Sequence, residues 1–200
     1  VFGVALGVAA VLAIQIINRS SLAAFEGSMQ AVSGEADLTI LGRTPSLADS
    51  LLPVVLGRPG VAAALPLVRL PAAVASKAHA SRANALFLDI IGVDFFTPVR
   101  LPWQGAPGDL AAALGQRGWA AFTPTLAQQQ GWTVGDSVRV WVGSREVCLV
   151  VGALIDFQSL SPLASSKLVV VDIAQAQVLL GRPGFVNQID VVLAEGADRE

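Results

Sequence analysis

The sequence has no tyrosine, one histidine and one cysteine, and only 14% of its 200 residues are charged. An ordinary soluble domain carries about 25% charged residues. A single cysteine, Cys148, excludes an internal disulfide framework and a Cys-rich metal site. It falls in a strand-like run with no basic surroundings to lower its pKa, so it reads as a packing residue. His79 stands in the small-residue stretch ASKAHASRAN (75–84) with no second His or Cys cluster to complete a ligand set, and reads as a solvated loop histidine. Net charge is −2 and the Arg and Lys residues are scattered, which leaves no basic footprint for nucleic acid. Without such a stripe, Trp103, Trp119, Trp132 and Trp141 read as core or edge residues and not as base-stacking platforms. There is neither a GxxxxGK[ST] loop nor a G-x-S-x-G elbow. Asp89 and Asp94 are close together, but carboxylates in a strand and its following turn are commonplace. No catalytic, cofactor-binding or metal-ligating residue is assigned, no cofactor is expected, and the chain is not read as an enzyme.

What is abundant is apolar surface: 54% of residues are hydrophobic and mean hydropathy is +0.63. The run VFGVALGVAAVLAIQII (1–17) has no charge, and Gln15 is its only strongly polar residue. As a helix it would reach roughly 26 Å, slightly short of a ~30 Å hydrocarbon core. Gly3 and Gly7 form GxxxG, and Ala5, Ala9 and Ala13 repeat every four residues, the spacing that permits close helix contact in lipid. The stretch NRSSLAAFEG offers no signal-peptide cleavage pattern, so residues 1–17 are expected to be a membrane helix. Leu22, Phe25, Met29 and Val32 then follow a helical stripe, with Arg19, Ser21, Glu26, Ser28 and Gln30 between them as the polar side. Ser33 and Gly34 end the pattern. The chain begins inside an apolar run and ends in a polar one, and is expected to be a piece of a longer protein.

The octapeptides VVLGRPGV (54–61) and VLLGRPGF (178–185) are nearly identical. Each follows a helix-like apolar run, whereas a phosphate-binding glycine loop precedes its helix. The copies therefore read as helix stops: Gly57 and Gly181 as left-handed C′ residues, Pro59 and Pro183 as barriers to continuation, Arg58 and Arg182 facing the last carbonyls. ADLTIL (36–41), a helix entered at Ser46 or near Ser50 with Pro53 awkwardly inside it, and VAAALPLVRL (61–70) make one strand–helix–strand unit. KLVVVD (167–172), IAQAQVLL (173–180) and NQIDVVLA (187–194) make a second. The fold class is α+β: residues 1–34 form a transmembrane helix and its amphipathic extension. Residues 35–70 plus 167–196 form a split βαβ subdomain of ferredoxin-like type, and 71–166 an inserted β-rich subdomain. Within the insertion, ALFLDIIGVD (85–94) is a strand with a Gly-Val-Asp turn, DLAAALGQRG (109–118) a short helix, and WAAFT (119–123) a strand. PTLAQQQG (124–131) is a helix with Pro124 in its first turn. GDSVRVWVGSREVCLVVGAL (135–154) is the clearest local signal. Val138, Val140 and Val142 alternate with Arg139 and Trp141, Gly143-Ser144 turns, and Val147, Leu149 and Val151 alternate back, a β-hairpin with Cys148 on the other face.

The order of these blocks resembles the first membrane helix and periplasmic core domain of MacB/FtsX-like ABC transporter permeases. The segments carrying the resemblance are GVALGVAAVLAI, INRSSLAAFEGSMQAVSGEADLTILG, the GVD strand, LAQQQGWTVGDSVRVWVGSREVCLVVGAL and LVVVDIAQAQVLLGRPGFVNQIDVVL. It covers essentially the whole chain; Pro53 and the Ala-rich stretch 61–75 depart from it. The resemblance implies a porter-like split α/β module interrupted by a β-rich one. It also implies a bacterial inner-membrane permease subunit, with residues after about 18 on the periplasmic side, acting as a homodimer with a separate cytoplasmic ABC ATPase, with membrane lipid and with a periplasmic partner protein. ATP-driven motion of the first helix would transmit force to the periplasmic domain and drive export or extraction of a hydrophobic or lipid-linked substrate. Residues 1–32 would be the lever, and a flexible Gly/Ser insertion near residues 18–21 would uncouple it. The alternative expectation is a single-pass membrane-anchored periplasmic binding or adaptor domain without a transport role.

Overall fold

The structure, a computed structural model, describes residues 2–33, 36–42, 46–75, 86–97 and 115–197. Side chains of residues 2–4, 18, 21–27 and 29–33 are outside this description, as are His79, Trp103, Gly34 and most of the expected helix at 109–118.

Helix α1 runs unbroken over Phe2–Ser33. Its residues 5–17 are exposed on every side, with Leu6, Ile16 and Ile17 more than half exposed. Among the described residues no helix is long and apolar enough to cross a membrane. The stretch with described side chains, 5–17, covers only about 20 Å at 1.5 Å per residue. The backbone passes residue 18 as continuous helix, so nothing in it marks the expected membrane boundary there.

Among the described residues, the chain continues with β1 (Leu38–Leu41), β2 (Leu47–Ala48), α2 (Leu51–Leu56), β3 (Val61–Val74), β4 (Phe87–Val93), β5 (Trp119–Phe122) and α3 (Pro124–Gln130). Next come β6 (Ser137–Val142), β7 (Arg145–Leu154), α4 (Phe157–Leu160), β8 (Leu168–Asp172), α5 (Ile173–Leu180), β9 (Phe185–Val186) and β10 (Gln188–Leu193). Eight strands form one sheet in the order β1-β10-β3-β4-β8-β5-β7-β6, and β6 also pairs with β3. Six of them, β3-β4-β8-β5-β7-β6, thereby close into a ring, with β10 and β1 extending from the first half of β3. Strands β2 and β9 form a separate two-stranded pair.

This connectivity crosses both expected subdomain boundaries. Strand β3 runs through the 70/71 junction. Strand β8 pairs in parallel with β4 and antiparallel with β5, both from the expected insertion, instead of with a strand of its own half. Proline does not interrupt β3, although Pro71 lies opposite Asp89. Asp89 directs its N–H to Lys167 on the β8 side (3.1 Å), so Pro71 faces β4 at a site where no N–H is called for.

Each face of the sheet buries its own core. The inside of the ring gathers Val68, Leu70, Leu88, Ile90, Phe122, Val140, Leu149 and Val169, with Ala176 and Leu179 of α5. The opposite face gathers Leu65, Leu67, Ile91, Val93, Trp119, Phe157, Leu168 and Val170. In β8 the two sets alternate residue by residue, which is why LVVVD reads as a continuous apolar run. The hairpin is as its alternation predicts: β6 is buried at every second residue, and Gly143, with φ 60°, takes the first centre of a two-residue turn between Val142 and Arg145.

Several local readings are corrected. The helix before the first GRPG starts late, with Ser50 as N-cap, while Ser46 precedes the β2 pairing. Pro53 is harmless because it falls in the first helical turn, where backbone N–H groups have no helical acceptor. Gly181 takes the left-handed cap (φ 74°), but Gly57 ends α2 in right-handed geometry (φ −79°). What the two repeats share is the next turn. In each, the residue after Pro-Gly donates to the Arg carbonyl (Val61 to Arg58, 3.3 Å; Phe185 to Arg182, 3.2 Å). Gly60 and Gly184 have φ of 83° and 79°. Pro followed by a positive-φ Gly inside such a bond is the signature of a type II turn. GRPG is thus a helix-to-strand joint used twice. The helix-capping arginine is also a different one: Arg145 at the hairpin tip donates to the carbonyls of Val178 and Leu179, whereas Arg182 donates to the Ser46 hydroxyl (2.9 Å). Gly92 is not in a turn but inside β4, directly beneath Ala176.

Candidate functional site

The opposite face of the sheet carries a groove of about 400 Å³, lined by Leu41, Leu67, Arg69, Pro71, Asp89, Asn187 and Gln188. Four elements meet there because β1, β10, β3 and β4 are adjacent; period-two alternation sends Leu67, Arg69 and Pro71 of β3 to one side, and Asn187 joins them from just before β10. Arg69 and Asp89 form a two-pronged pair across it, Nε to Oδ1 and Nη2 to Oδ2, each 2.7 Å. Both are only partly exposed, at 29% and 18%, so neighbouring atoms hold the fork in place with limited water competition. Asn187 locks the strand from the other side: its Oδ1 accepts from Arg69 N (2.5 Å) and its own N–H donates to Leu67 O (2.9 Å). Behind the groove, Asp190 is 3% exposed and accepts from Thr39 Oγ1 (3.0 Å) and Gln188 Nε2 (2.5 Å). A buried carboxylate needs such donors, because desolvation disfavours its charge.

At the other end of the same face, α1 packs against α4 and β4. Ser28 is fully buried, and its Oγ accepts from the backbone N–H of Ser165 (2.9 Å). The sequence placed Ser28 on the polar side of an amphipathic helix; the structure puts it in a protein contact. Local periodicity carries no sign of this, since the partner lies 137 residues away.

Asp89, read as commonplace, is the acidic half of the groove's ion pair. The signal available was a lone charge in each of two apolar strands, LPLVRLP and FLDIIG, with nothing in the sequence to say that they are paired. Asp94 accepts from Phe96 N (2.8 Å) in an exposed turn. Cys148 is an exposed free thiol, not a packing residue, because the outward face of β7 is uncovered there. Trp119 and Trp132 do fill core edges, in edge-to-face contact with Phe95 (5.8 Å) and Phe122 (5.7 Å), while Trp141 is 43% exposed. Among the described residues no group of three or more His, Cys, Asp or Glu could hold a metal ion. Asp136 is not among the residues lining the groove. Asp136 is held below the ordinary aspartate value by the Thr133 backbone N–H (2.7 Å) and then by the Thr133 hydroxyl (3.0 Å).

The family described as the MacB-like periplasmic core domain matches residues 1–200. The chain belongs to this family. An uncharacterised ABC transporter permease protein of Mycobacterium tuberculosis is 29% identical to the MacB-like domain over 202 residues, 98% of this chain and 23% of the relative. The chain thus spans under a quarter of the length of that relative. The periplasmic region of MacB from Actinobacillus actinomycetemcomitans superposes with TM-score 0.52 at 8% identity, covering 86% of this chain and 80% of that one, and so shares its mixed α+β fold. The extracellular domain of the ABC-type transporter YknZ from Gram-positive bacteria is similar at TM-score 0.48 and 13% identity, over 77% of this chain and 76% of that one.

Proposed function

We propose that this MacB-like domain is the extracytoplasmic part, with the first membrane helix, of an ABC transporter permease. The observation that carries the reading is α1 itself: one unbroken helix whose described first part is apolar and exposed all round, and whose second part is docked in the sheet domain through buried Ser28. An apolar surface on every side of a helix is stable only where something other than water surrounds it. Family membership and the permease relative support the same reading.

In this account residues 1–17 lie in the bacterial inner membrane and the sheet domain lies on the extracytoplasmic side. A separate cytoplasmic ATPase hydrolyses ATP, and two permease copies act together. Residues 1–32 act as a lever, because a continuous helix transmits displacement along its axis where a flexible linker would absorb it. The groove with its apolar walls suits a hydrophobic or lipid-linked substrate or a periplasmic partner protein.

The experiment is purification of the full-length protein from detergent-solubilised membranes, with mass spectrometry of what accompanies it. A stoichiometric P-loop ATPase is expected. Recovery as a single-pass protein without one would replace this reading by that of an anchored periplasmic adaptor.

A further inference from the structure

Segment 161–167 makes polar contacts with α1, α4, β4 and Thr123. Gln158 Nε2 donates to Ala164 O (3.3 Å), and Thr123 Oγ1 donates to Ser166 O (2.5 Å). Ser165 folds the segment onto itself, accepting from Lys167 N at its Oγ (3.2 Å) and from Leu168 N at its carbonyl (3.2 Å). Lys167 O accepts from the backbone N–H of Asp89 (3.1 Å), whose carboxylate grips Arg69 in the groove. Into this segment α1 inserts the Ser28 hydroxyl. A contiguous series of contacts therefore runs from α1 through 165 and 167 to residue 89, then across the sheet to Arg69 and Asn187.

We infer that Ser28 is the positioning residue through which α1 holds segment 161–167 and, through it, the Arg69–Asp89 side of the groove. The chemistry suits the task. Ser28 is fully buried and Ser165 half-buried, so displacement of α1 must either carry Ser165 with it or break the one directional bond that ties the two. Apolar packing alone would let the helix slide; a directional bond fixes its position against the segment. This deepens the permease reading, which supplies the motion, but the contact itself is testable without any motor.

The test is hydrogen–deuterium exchange on the full-length protein in lipid nanodiscs. In Ser28→Ala the Ser165 amide is expected to exchange about tenfold faster, the loss of one half-buried hydrogen bond. The amides of Lys167 and Asp89 should follow by a smaller factor, with amides of the β6–β7 hairpin unchanged as the control. Unchanged exchange at Ser165 and Asp89 overturns the inference. Should Ser28→Ala accelerate exchange everywhere, the decision passes to a second protein, Ser28→Cys with Ser165→Cys in a Cys148→Ser background. Oxidation to the disulfide is expected to slow exchange at Lys167 and Asp89 relative to the reduced form, and equal rates overturn the proposal. Absence of an ATPase from the purified protein would sink the permease reading and leave these exchange rates to decide the Ser28 contact by themselves.

Discussion

A methyl group placed on Gly92 would lie 2.2 Å from the Cβ of Ala176 and 3.5 Å from the backbone of Ile173. Strand β4 and helix α5 can touch there only because glycine has no side chain. Gly92→Ala should therefore push α5 off the sheet and destabilise the domain by about 1–3 kcal/mol, read as a lowered denaturation midpoint in urea. Asp136 offers a residue-scale prediction of another kind. Its folded pKa is depressed by the Thr133 N–H and hydroxyl, so its stabilisation is present above the unfolded-state value of about 3.9 and is lost as pH falls through the lower folded value. Asp136→Asn should lower the melting temperature at pH 7 and converge on the parent in acid, once the pH has fallen below the lowered folded value, measured by calorimetry from neutral into acid. Parallel curves at all pH values would remove the charge from the explanation. Nothing in the sequence pattern singled out Asp136.

At the scale of the element, the two GRPG copies look interchangeable in sequence and differ in backbone. Helix α5 ends in a Schellman-like cap, with Arg182 N reaching Gln177 O (3.1 Å) over a left-handed Gly181. Helix α2 ends right-handed, with Gly57 N on Pro53 O (3.0 Å). Gly181→Ala should then cost about 1–2 kcal/mol for its forced left-handed geometry. Gly57→Ala, at negative φ and 3.3 Å from the Pro53 carbonyl, should be near neutral. Equal losses in thermal unfolding would contradict the asymmetry. The hairpin, the α3 start at Pro124 and the Asp172 cap of α5 were all legible, because each depends on residues within a few positions of one another. The late start of α2 was only half legible, since the competing claim on Leu47 and Ala48 comes from Phe185 and Val186 across the molecule.

For the whole molecule, the ring decides how the domain behaves. Strand β8 sits between β4 and β5, and β3 contributes to both β10 and β4. Residues 71–166 expressed alone lack β8, so β4 and β5 lose the strand that joins them. That fragment should show no cooperative thermal transition by circular dichroism, whereas the full domain should unfold in one step. A folded, cooperatively melting 71–166 fragment would restore the division into two subdomains.

Composition and periodicity by themselves determined the apolar helix and its uninterrupted extension, the hairpin, the helix stops at both GRPG copies and the mixed α+β class. All of these follow from interactions between near neighbours or from the partition of apolar surface. Only the tertiary structure decided that β8 joins strands from the middle of the chain, that Arg69 finds Asp89, and that Ser28 turns into the protein. Strand partners and buried polar pairs depend on which surfaces meet in three dimensions. Positions 20 residues apart, as Arg69 and Asp89 are, or 137 apart, as Ser28 and Ser165 are, leave no periodic trace of that meeting in one sequence.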